Sequence, residues 1–509
     1  MKQKYYVTSA IPYANDNPHI GHALLFLYAD VIARYQRLAG KDVYFLIGTD
    51  EHGQKMFRAA NEKGVPVAEY CNQKSAVFQN LADQWNISNN DFIRTTDERH
   101  IQSAQKFWMS AEKSGDIYKK KYSGLYCVGC ESFKTEKDLV DGKCPDHQKE
   151  PEWLEEENYF FRLSKYQDKL EKLFKKNPSF VYPENRYNEM LNILKNGLED
   201  ISISRSTQKL TWGIPVPGDL EQVMYVWFDA LTNYVTALGY GSEDETLFKK
   251  YWPADVHVLG KEINRFHSLL WPAMLMSAGV ELPKMIAAHG WITVNGQKMS
   301  KSVGNVIDPI KMADKYPIES IRYFFMKELA FDSDGDYSDE KFEARYNGDL
   351  ANGLGNLVNR VTVMIEKYSE NLSPKIIQPN QVIVDSVSLA WKNYSRHMNE
   401  LYFNRALDAV WKLITDCDVQ ISELKPWTWA KNNEFAKIND LLGSLSEALR
   451  HIAIMIYPIM PDTSHKIIGQ IGLTPEKEYA EPLIKLQEWR DNYSTKITPP
   501  EPLFMRLEK

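Results

Sequence analysis

The chain has 509 residues, 43% of them hydrophobic and 12% aromatic, which is enough apolar material for more than one buried core. Its formal net charge of −7 excludes a uniformly basic surface for indiscriminate nucleic-acid binding, but leaves a local basic face open. No run of about 18 apolar residues exists, and the start, M-K-Q-K-Y-Y, enters a strand without an apolar leader, so the expectation is a cytoplasmic protein with no membrane association.

Lys4 to Ala10 reads as a strand, and Ala23 to Leu38 as a helix with Leu24, Leu27, Tyr28, Val31, Ile32 and Tyr35 at helical spacing. Between them lies P-Y-A-N-D-N-P-H-I-G-H, Pro12 to His22. Its two histidines, His19 and His22, share one face of a first helical turn, and a helix amino end after a strand is an anion site. An H-x-G-H string arises by chance in roughly one chain in eighty of this composition, so alone it leaves ordinary helix packing as an equal reading. Val43 to Ile47, a continuous apolar run, fits a strand buried on both faces. It leads into Gly48-Thr49-Asp50-Glu51-His52-Gly53, and strand–helix–strand with polar residues at the carboxyl end predicts a parallel α/β unit with its ligand crevice there. Helical patterns follow over Val67 to Trp85 and Glu98 to Ser114, with a short strand near Phe92 and Ile93.

From Tyr118 the texture changes. Five cysteines occur (Cys71, Cys127, Cys130, Cys144, Cys417), odd in number with three clustered, which suits metal ligation better than a disulfide framework. Cys127-x-x-Cys130 and Cys144-x-x-His147 let each pair grip one ion from a tight turn. Thiolate and imidazole favour tetrahedral Zn²⁺, and a closed four-ligand set makes it structural. Binding of that kind contributes on the order of 10 kcal/mol to folding. Helices are expected over Lys165 to Lys176 and Asn185 to Asn196, and a strand over Ile201 to Ser204.

Residues 118–224 thus read as an insertion that splits the α/β domain into 1–117 and 225–337. The parallel-sheet texture is expected to resume with Val223 to Trp227, followed by a helix from Phe228 to Leu238. Further strands fall at Val256 to Leu259, Met285 to Ala288 and Trp291 to Val294. A hairpin turn at Asn295-Gly296 precedes Lys298-Met299-Ser300-Lys301-Ser302. Over 338–509 the strand signal nearly disappears: segments around Ser338 to Tyr368, Ile383 to Met398, Phe403 to Leu424, Phe435 to Tyr457 and Asp462 to Ile471 predict a helical bundle. The tail, Thr498 to Lys509, is too apolar for a free end and is expected to pack back on the body.

H-I-G-H at 19–22 and K-M-S-K-S at 298–302, in that order on a split α/β domain, resemble a class I aminoacyl-tRNA synthetase. Within that class the chain resembles the methionyl-tRNA synthetase family over essentially its whole length. The similarity is carried by A-I-P-Y-A-N, G-T-D-E-H-G, the C-x-x-C and C-x-x-H knuckle, V-W-F-D-A-L, G-K-E-I-N-R-F-H, V-N-G-Q-K-M-S-K-S and K-P-W. The resemblance implies a Rossmann-like catalytic domain split by a zinc-knuckle insertion and followed by an all-α anticodon-binding bundle. It implies the activation of L-methionine with ATP to methionyl adenylate, then transfer to the 3′ adenosine of tRNA(Met), with Mg²⁺ accompanying ATP and one structural Zn²⁺ per chain.

Residue by residue, the resemblance assigns His19, His22, Lys298 and Lys301 to catalysis. Gly21, Gly260, Glu262, Met299 and Ser300 join them at ATP. Ala10, Ile11, Pro12, Tyr13, Asp50, Arg205, Trp227, Ala230, Leu231, Tyr234, Ile263 and His267 match the amino-acid site, with Asp50 on the substrate amine and aromatic rings suited to a thioether. Leu231 stands where some members carry proline, and Glu262 where others carry aspartate. Asn356, Arg360 and Trp427 match anticodon-reading positions, residue types that stack on and hydrogen-bond to unpaired bases.

Three alternatives compete. Another class I specificity would want either a metal-binding cysteine in place of Ile11-Pro12-Tyr13 or a large editing insertion, for which residues 118–224 are too short. A small nucleotidyltransferase has no reason to carry a knuckle or a bundle. A non-catalytic tRNA-binding descendant would not need His19, His22, Lys298 and Lys301 intact. No appended dimerisation module is visible, so a monomer is expected.

Overall fold

The computed structural model describes residues 2–129, 132–145, 148–299, 304–491, 495–497 and 501–507. It divides into two compact units: Lys4–Ala29 with Val43–His289, and Met1–Gln3, Asp30–Asp42 and Gly290–Lys509.

The first unit is built on a six-stranded sheet. Strand β1 (Lys4–Ser9), the apolar β2 (Asp42–Thr49) and β3 (Asp91–Arg94) lie in the order β3, β2, β1, followed by Val256–Gly260, Ile286–His289 and Val181–Tyr182. β2 and β3 pair in parallel, and so do β1 with Val256–Gly260, that strand with Ile286–His289, and Ile286–His289 with Val181–Tyr182. Phe45, Leu46 and Ile47 have no exposed surface, as a strand covered on both faces requires. At Gly48 an added Cβ would lie 2.1 Å from the Ile93 carbonyl oxygen, so β3 approaches β2 this closely only across a glycine.

Helix α1 (Ile20–Leu38) follows β1, and the residues expected to form its apolar stripe, Leu24, Leu27, Tyr28, Val31, Ile32 and Tyr35, are all buried. A second, antiparallel sheet pairs Ile117–Cys127 with Glu152–Phe161 from Ile117↔Phe161 to Tyr126↔Glu152, with Ser132–Lys134 and Ile201–Ser202 at its edges.

Two expectations are corrected here. Val223 to Trp227 is no strand of the parallel sheet: Asp219–Met224 runs antiparallel in a small sheet with Pro215–Val216 and Ser204–Ser206, and a helix starts at Val226. The helix expected over Phe228 to Leu238 is two short ones, Val226–Leu231 and Asn233–Thr236. The sixth parallel strand is instead Val181–Tyr182, two residues inside the stretch read as an insertion.

The second unit is mainly helical, with long helices Asn356–Tyr368, Gln381–Asn399, Phe403–Leu424, Phe435–Ile456 and Pro461–Gln470. It holds buried ion networks. Asp30 accepts from Arg34 Nε at 2.8 Å and from Arg322 Nη2 at 2.6 Å, and Arg322 Nε also reaches the Ile459 carbonyl at 2.7 Å. Glu447 accepts from Arg450 Nε and Nη2 at 3.0 and 2.7 Å, with His451 Nε2 at 3.1 Å. Over 501–507, Asn347 exchanges hydrogen bonds with the Leu507 backbone, and Phe504 meets Tyr346 edge-on; the rest of the expected tail, 498–500 and 508–509, lies outside the described residues.

Candidate active site

The carboxyl ends of β1 and β2 run on together. The Asp50 N–H donates to the Pro12 carbonyl at 2.8 Å, the Ala14 N–H to the Asp50 carbonyl at 2.9 Å, and Tyr13 bridges Asp50 in parallel. The Ala10 N–H donates to the Val258 carbonyl at 2.8 Å. This brings Ala10, Ile11, Pro12, Tyr13 and Asp50 to one end of the sheet, where an open α/β fold holds its ligand.

His19 and His22 stand at the start of α1 with their rings stacked, centroids 3.8 Å apart. The Gly21 N–H donates to His19 Nδ1 at 3.1 Å and the His19 N–H to His22 Nδ1 at 3.2 Å. Since Nδ1 accepts in both rings, each neutral imidazole carries its proton on Nε2. Burial lowers the His19 pKa against an opposing pull from Glu262, and burial with the neighbouring His19 holds His22 well below its ordinary value. The pair is therefore two neutral Nε2–H donors at a helix amino end, the positive end of its dipole.

A second cluster follows Val226–Leu231. Trp227 stacks on Phe266 at 4.0 Å and meets His267 edge-on at 6.2 Å. His267 Nδ1 lies 3.0 Å from the Ile263 carbonyl and so carries the proton; Nε2 then accepts from the Tyr234 hydroxyl at 2.7 Å. Burial pushes the His267 pKa down to about 4, so the ring is neutral at pH 7. Tyr234 is fixed further by the Tyr6 hydroxyl, which donates to its carbonyl at 2.8 Å, and by the His257 ring at 4.2 Å. Trp271 Nε1 donates to His257 Nε2 at 3.3 Å, which leaves Nδ1 to donate to Thr8 Oγ1 at 2.7 Å. The residues Phe266–Leu270 wind as a π-helix, a widened turn often found where a side chain is aimed into a site. Ala230 and Leu231 are buried, and Ile263 is half-buried.

Gly260 ends its strand opposite His289, and a Cβ there would lie 2.7 Å from the Glu262 carboxylate, which folds back against it. Arg205 is buried between the Tyr126 and Tyr225 rings, its guanidinium carbon 5.0 and 4.7 Å from their centroids, with Nη1 donating to Ser202 Oγ at 2.9 Å and the Ser204 carbonyl at 2.7 Å.

In the second unit, Ile292–Val294 pairs in parallel with Gly335–Tyr337 and, across a turn, antiparallel with Gln297–Lys298. Asn295 and Gly296 have φ of 52° and 74°, the left-handed pair a two-residue hairpin turn requires. Asp336 Oδ1 holds this turn, accepting from the Gly296 N–H at 2.7 Å and from Thr293 Oγ1 at 2.8 Å. Lys298 is exposed, its Nζ 4.1 Å from the Trp291 ring centre; Met299 follows half-buried, while Ser300 and Lys301 lie outside the described residues. Asn356 is exposed on its helix, Arg360 Nη1 donates to Asp418 at 2.5 Å, and Trp427 is 43% exposed rather than bundle core. Cys127 and Cys144 are both buried; Cys130 and His147 lie outside the described residues.

Sequence reasoning missed the polar frame behind these residues. Glu51, fully buried, takes Arg94 in a two-point ion pair at 2.8 Å for both bonds, with Thr49 and Thr96 hydroxyls on the same carboxylate at 2.7 and 2.5 Å. Trp212 Nε1 donates to the Glu51 carbonyl at 2.7 Å and its ring lies 5.6 Å from that of His52. His52 and His100 both contact the buried Asp229. The one available signal was the density of polar residues in G-T-D-E-H-G on the end of a strand otherwise buried on both sides.

A parallel sheet with a histidine pair at its first helix, a lysine-bearing hairpin loop and a helical bundle after it define a class I aminoacyl-tRNA synthetase. The family profile described as "tRNA synthetases class I (M)" matches residues 5–150 and 138–362, and that of the "Anticodon-binding domain of tRNA ligase" residues 380–506. The methionine–tRNA ligase of Caldanaerobacter subterraneus is 48% identical over 480 residues, covering 94% of this chain and 75% of that one. That of Brucella suis is 42% identical over 513 residues, 99% of this chain and 98% of its own. The methionyl-tRNA synthetase of Mycobacterium tuberculosis in complex with methionyl-adenylate is 40% identical and matches with a TM-score of 0.95 over 99% of this chain and 100% of that one. The chain belongs to the methionine–tRNA ligases.

Proposed function

We propose that the protein activates L-methionine with ATP, forming methionyl adenylate and pyrophosphate, and transfers the methionyl group to the 3′ adenosine of tRNA(Met). The observation that carries this reading is the fixed tautomer of His19 and His22, which turns both Nε2–H groups into neutral donors at a helix amino end. In the first step a carboxylate oxygen of methionine bonds to the α-phosphorus and the bond to pyrophosphate breaks. In the second, the terminal ribose hydroxyl attacks the methionyl carbonyl and AMP leaves. Neither step needs a side-chain nucleophile; both need phosphate charge to be met by oriented donors. Beside Gly21, His19 and His22 act on the phosphates; Gly260 and Glu262 act on the nucleoside, and Lys298, Met299, Ser300 and Lys301 belong to the loop whose cations neutralise pyrophosphate.

Asp50 supplies the negative charge for the substrate ammonium, with Arg205, Ala10, Ile11, Pro12 and Tyr13 around it. Trp227, Ala230, Leu231, Tyr234, Ile263 and His267 form the wall for the thioether. That wall is aromatic and apolar, and its histidine is neutral, which suits a polarisable, uncharged side chain. Pyrophosphate exchange with a panel of amino acids tests the reading: methionine should give the dominant signal, and a larger signal with leucine refutes it.

Two buried thiols, Cys127 at a strand end and Cys144 beyond the Val140–Lys143 bridge, fit a soft divalent metal. With Cys130 and His147 they would hold one structural Zn²⁺, which fastens the turns of the module and takes no part in the reaction. Among the described residues no three His, Cys, Asp or Glu side chains converge on a metal site, so Mg²⁺ is assigned to the ATP phosphates, where it screens their charge. Exposed Trp427 and Asn356, with Arg360, are assigned to the anticodon of tRNA(Met). The protein is read as a cytoplasmic monomer; no helix among the described residues is long and apolar enough to cross a membrane.

A further inference from the structure

Asp229 has no exposed surface, yet it carries two histidines. Its Oδ2 lies 2.7 Å from His52 Nδ1 and its Oδ1 2.7 Å from His100 Nε2. His100 continues to Thr236 Oγ1 at 2.8 Å. Burial alone would raise the Asp229 pKa, but the facing imidazoles, His52 first, lower it, so the group is a carboxylate and both facing ring nitrogens carry protons. Residues 177 and 129 positions away are thereby tied to one side chain.

What this carboxylate joins is specific. His52 lies two residues beyond Asp50, and its carbonyl accepts the Tyr13 hydroxyl. Asp229 lies in the same short helix as Trp227, Ala230 and Leu231, and Thr236 ends the next one, which carries Tyr234. One face of the clasp thus holds the segment assigned to the substrate ammonium, the other the segments assigned to the thioether. A buried carboxylate held by hydrogen bonds is a poor way to gain stability compared with apolar packing of the same volume, but it fixes direction and distance, because each hydrogen bond has a preferred length and angle. His100 extends the same constraint to a fourth segment, the helix Glu98–Lys113.

We propose that Asp229 is a positioning residue for methionine recognition: through His52 and His100 it sets the separation between the Asp50 segment and the Trp227–Leu231 helix. The proposal rests on the assignment of Asp50 and Trp227 to the methionine site. Asp229→Asn keeps one acceptor but turns an amide N–H toward the other imidazole N–H. His52→Leu removes one arm, whereas His52→Asn puts an amide nitrogen where Nδ1 stands and restores the donor.

The test is pyrophosphate exchange with KM for methionine and for ATP measured separately, alongside urea unfolding of each full-length variant. Asp229→Asn and His52→Leu should raise the methionine KM on the order of tenfold, the loss expected for a hydrogen bond to a charged group. The ATP KM should stay within about twofold, and His52→Asn should recover most of the methionine effect. An unchanged methionine KM in His52→Leu overturns the proposal. So does an equal rise in both KM values that follows the loss of stability, the signature of general loosening. If Asp229→Asn does not fold, the two His52 variants decide. Asp50→Asn separates the underlying reading from this one: if it leaves methionine KM intact, the site assignment itself fails; if it abolishes methionine use while His52→Leu leaves the methionine KM unchanged, only the positioning role falls.

Discussion

Replacing His19 isolates the role assigned to its Nε2–H. The ring is anchored at Nδ1 by the Gly21 N–H at 3.1 Å, its pKa is lowered by burial, and the donor is thus a neutral N–H held in place before any phosphate arrives. A preorganised donor to charge that develops in the transition state is worth about 2.7 to 4 kcal/mol, so His19→Ala should lower kcat for pyrophosphate exchange by about 10² to 10³ and leave methionine KM nearly unchanged. Glutamine and asparagine sharpen the test: a glutamine amide reaches the position of Nε2, an asparagine amide that of Nδ1. His19→Gln should therefore retain more activity than His19→Asn. The assay is exchange at saturating methionine with ATP varied, followed by methionine titration at saturating ATP. Asparagine outperforming glutamine, or a rise in methionine KM with kcat intact, would refute the tautomer argument.

Other consequences reach the rest of the chain. Burial would raise the Glu447 pKa, but His451 and Arg450 outweigh it and hold the carboxyl down from 4.5 to about 2. Its stabilisation, roughly 3 kcal/mol, is complete above the ordinary value near 4.5 and is lost as pH falls toward 2; Glu447→Gln should lower urea stability at pH 7 and flatten its acid dependence, and an unchanged profile contradicts this. Trp427→Ala should weaken charging of methionine tRNA roughly 5- to 150-fold, the loss of about 1 to 3 kcal/mol of base stacking, while pyrophosphate exchange persists. Equal loss of both activities would remove Trp427 from the anticodon. Elemental analysis of purified protein should find about one zinc per chain, and a Cys144→Ser variant much less; full zinc content in that variant excludes Cys144 as a ligand.

The parts of the fold that were legible in the sequence are those written in local pattern. The stripe of α1, the apolar β2 and the long helices of the second unit follow from spacing alone. The strand expected over Val223 to Trp227 shares only Val223 and Met224 with the observed Asp219–Met224, and its antiparallel direction depends on which distant segment it meets. Val181–Tyr182 is two residues long and carries no period. Among the proposed site residues, His19, His22 and Lys298 stand in motifs whose residue types advertise their chemistry. Asp229, His52 and His100 do not, because a buried carboxylate acquires its role only from partners more than a hundred positions away.

The histidines of the first unit explain how the site handles charge. His19, His22, His257 and His267 all have pKa values lowered chiefly by burial, and in each a backbone or indole partner fixes which nitrogen holds the proton. A buried imidazolium would bind phosphate strongly in the ground state as well as in the transition state, and uniform binding of that kind does not raise kcat. Neutral, fixed donors respond instead to charge as it builds on the phosphate oxygens. The same neutrality would serve the wall proposed for the thioether. His267 cannot donate from Nε2 because Tyr234 already donates to it, so in the proposed site it would give a competing polar side chain no charge to pair with, and the ionic demand of the substrate would fall on Asp50. Desolvation thus accounts for the neutral donors at α1, and in the proposed amino-acid pocket the same effect would favour an uncharged, polarisable side chain.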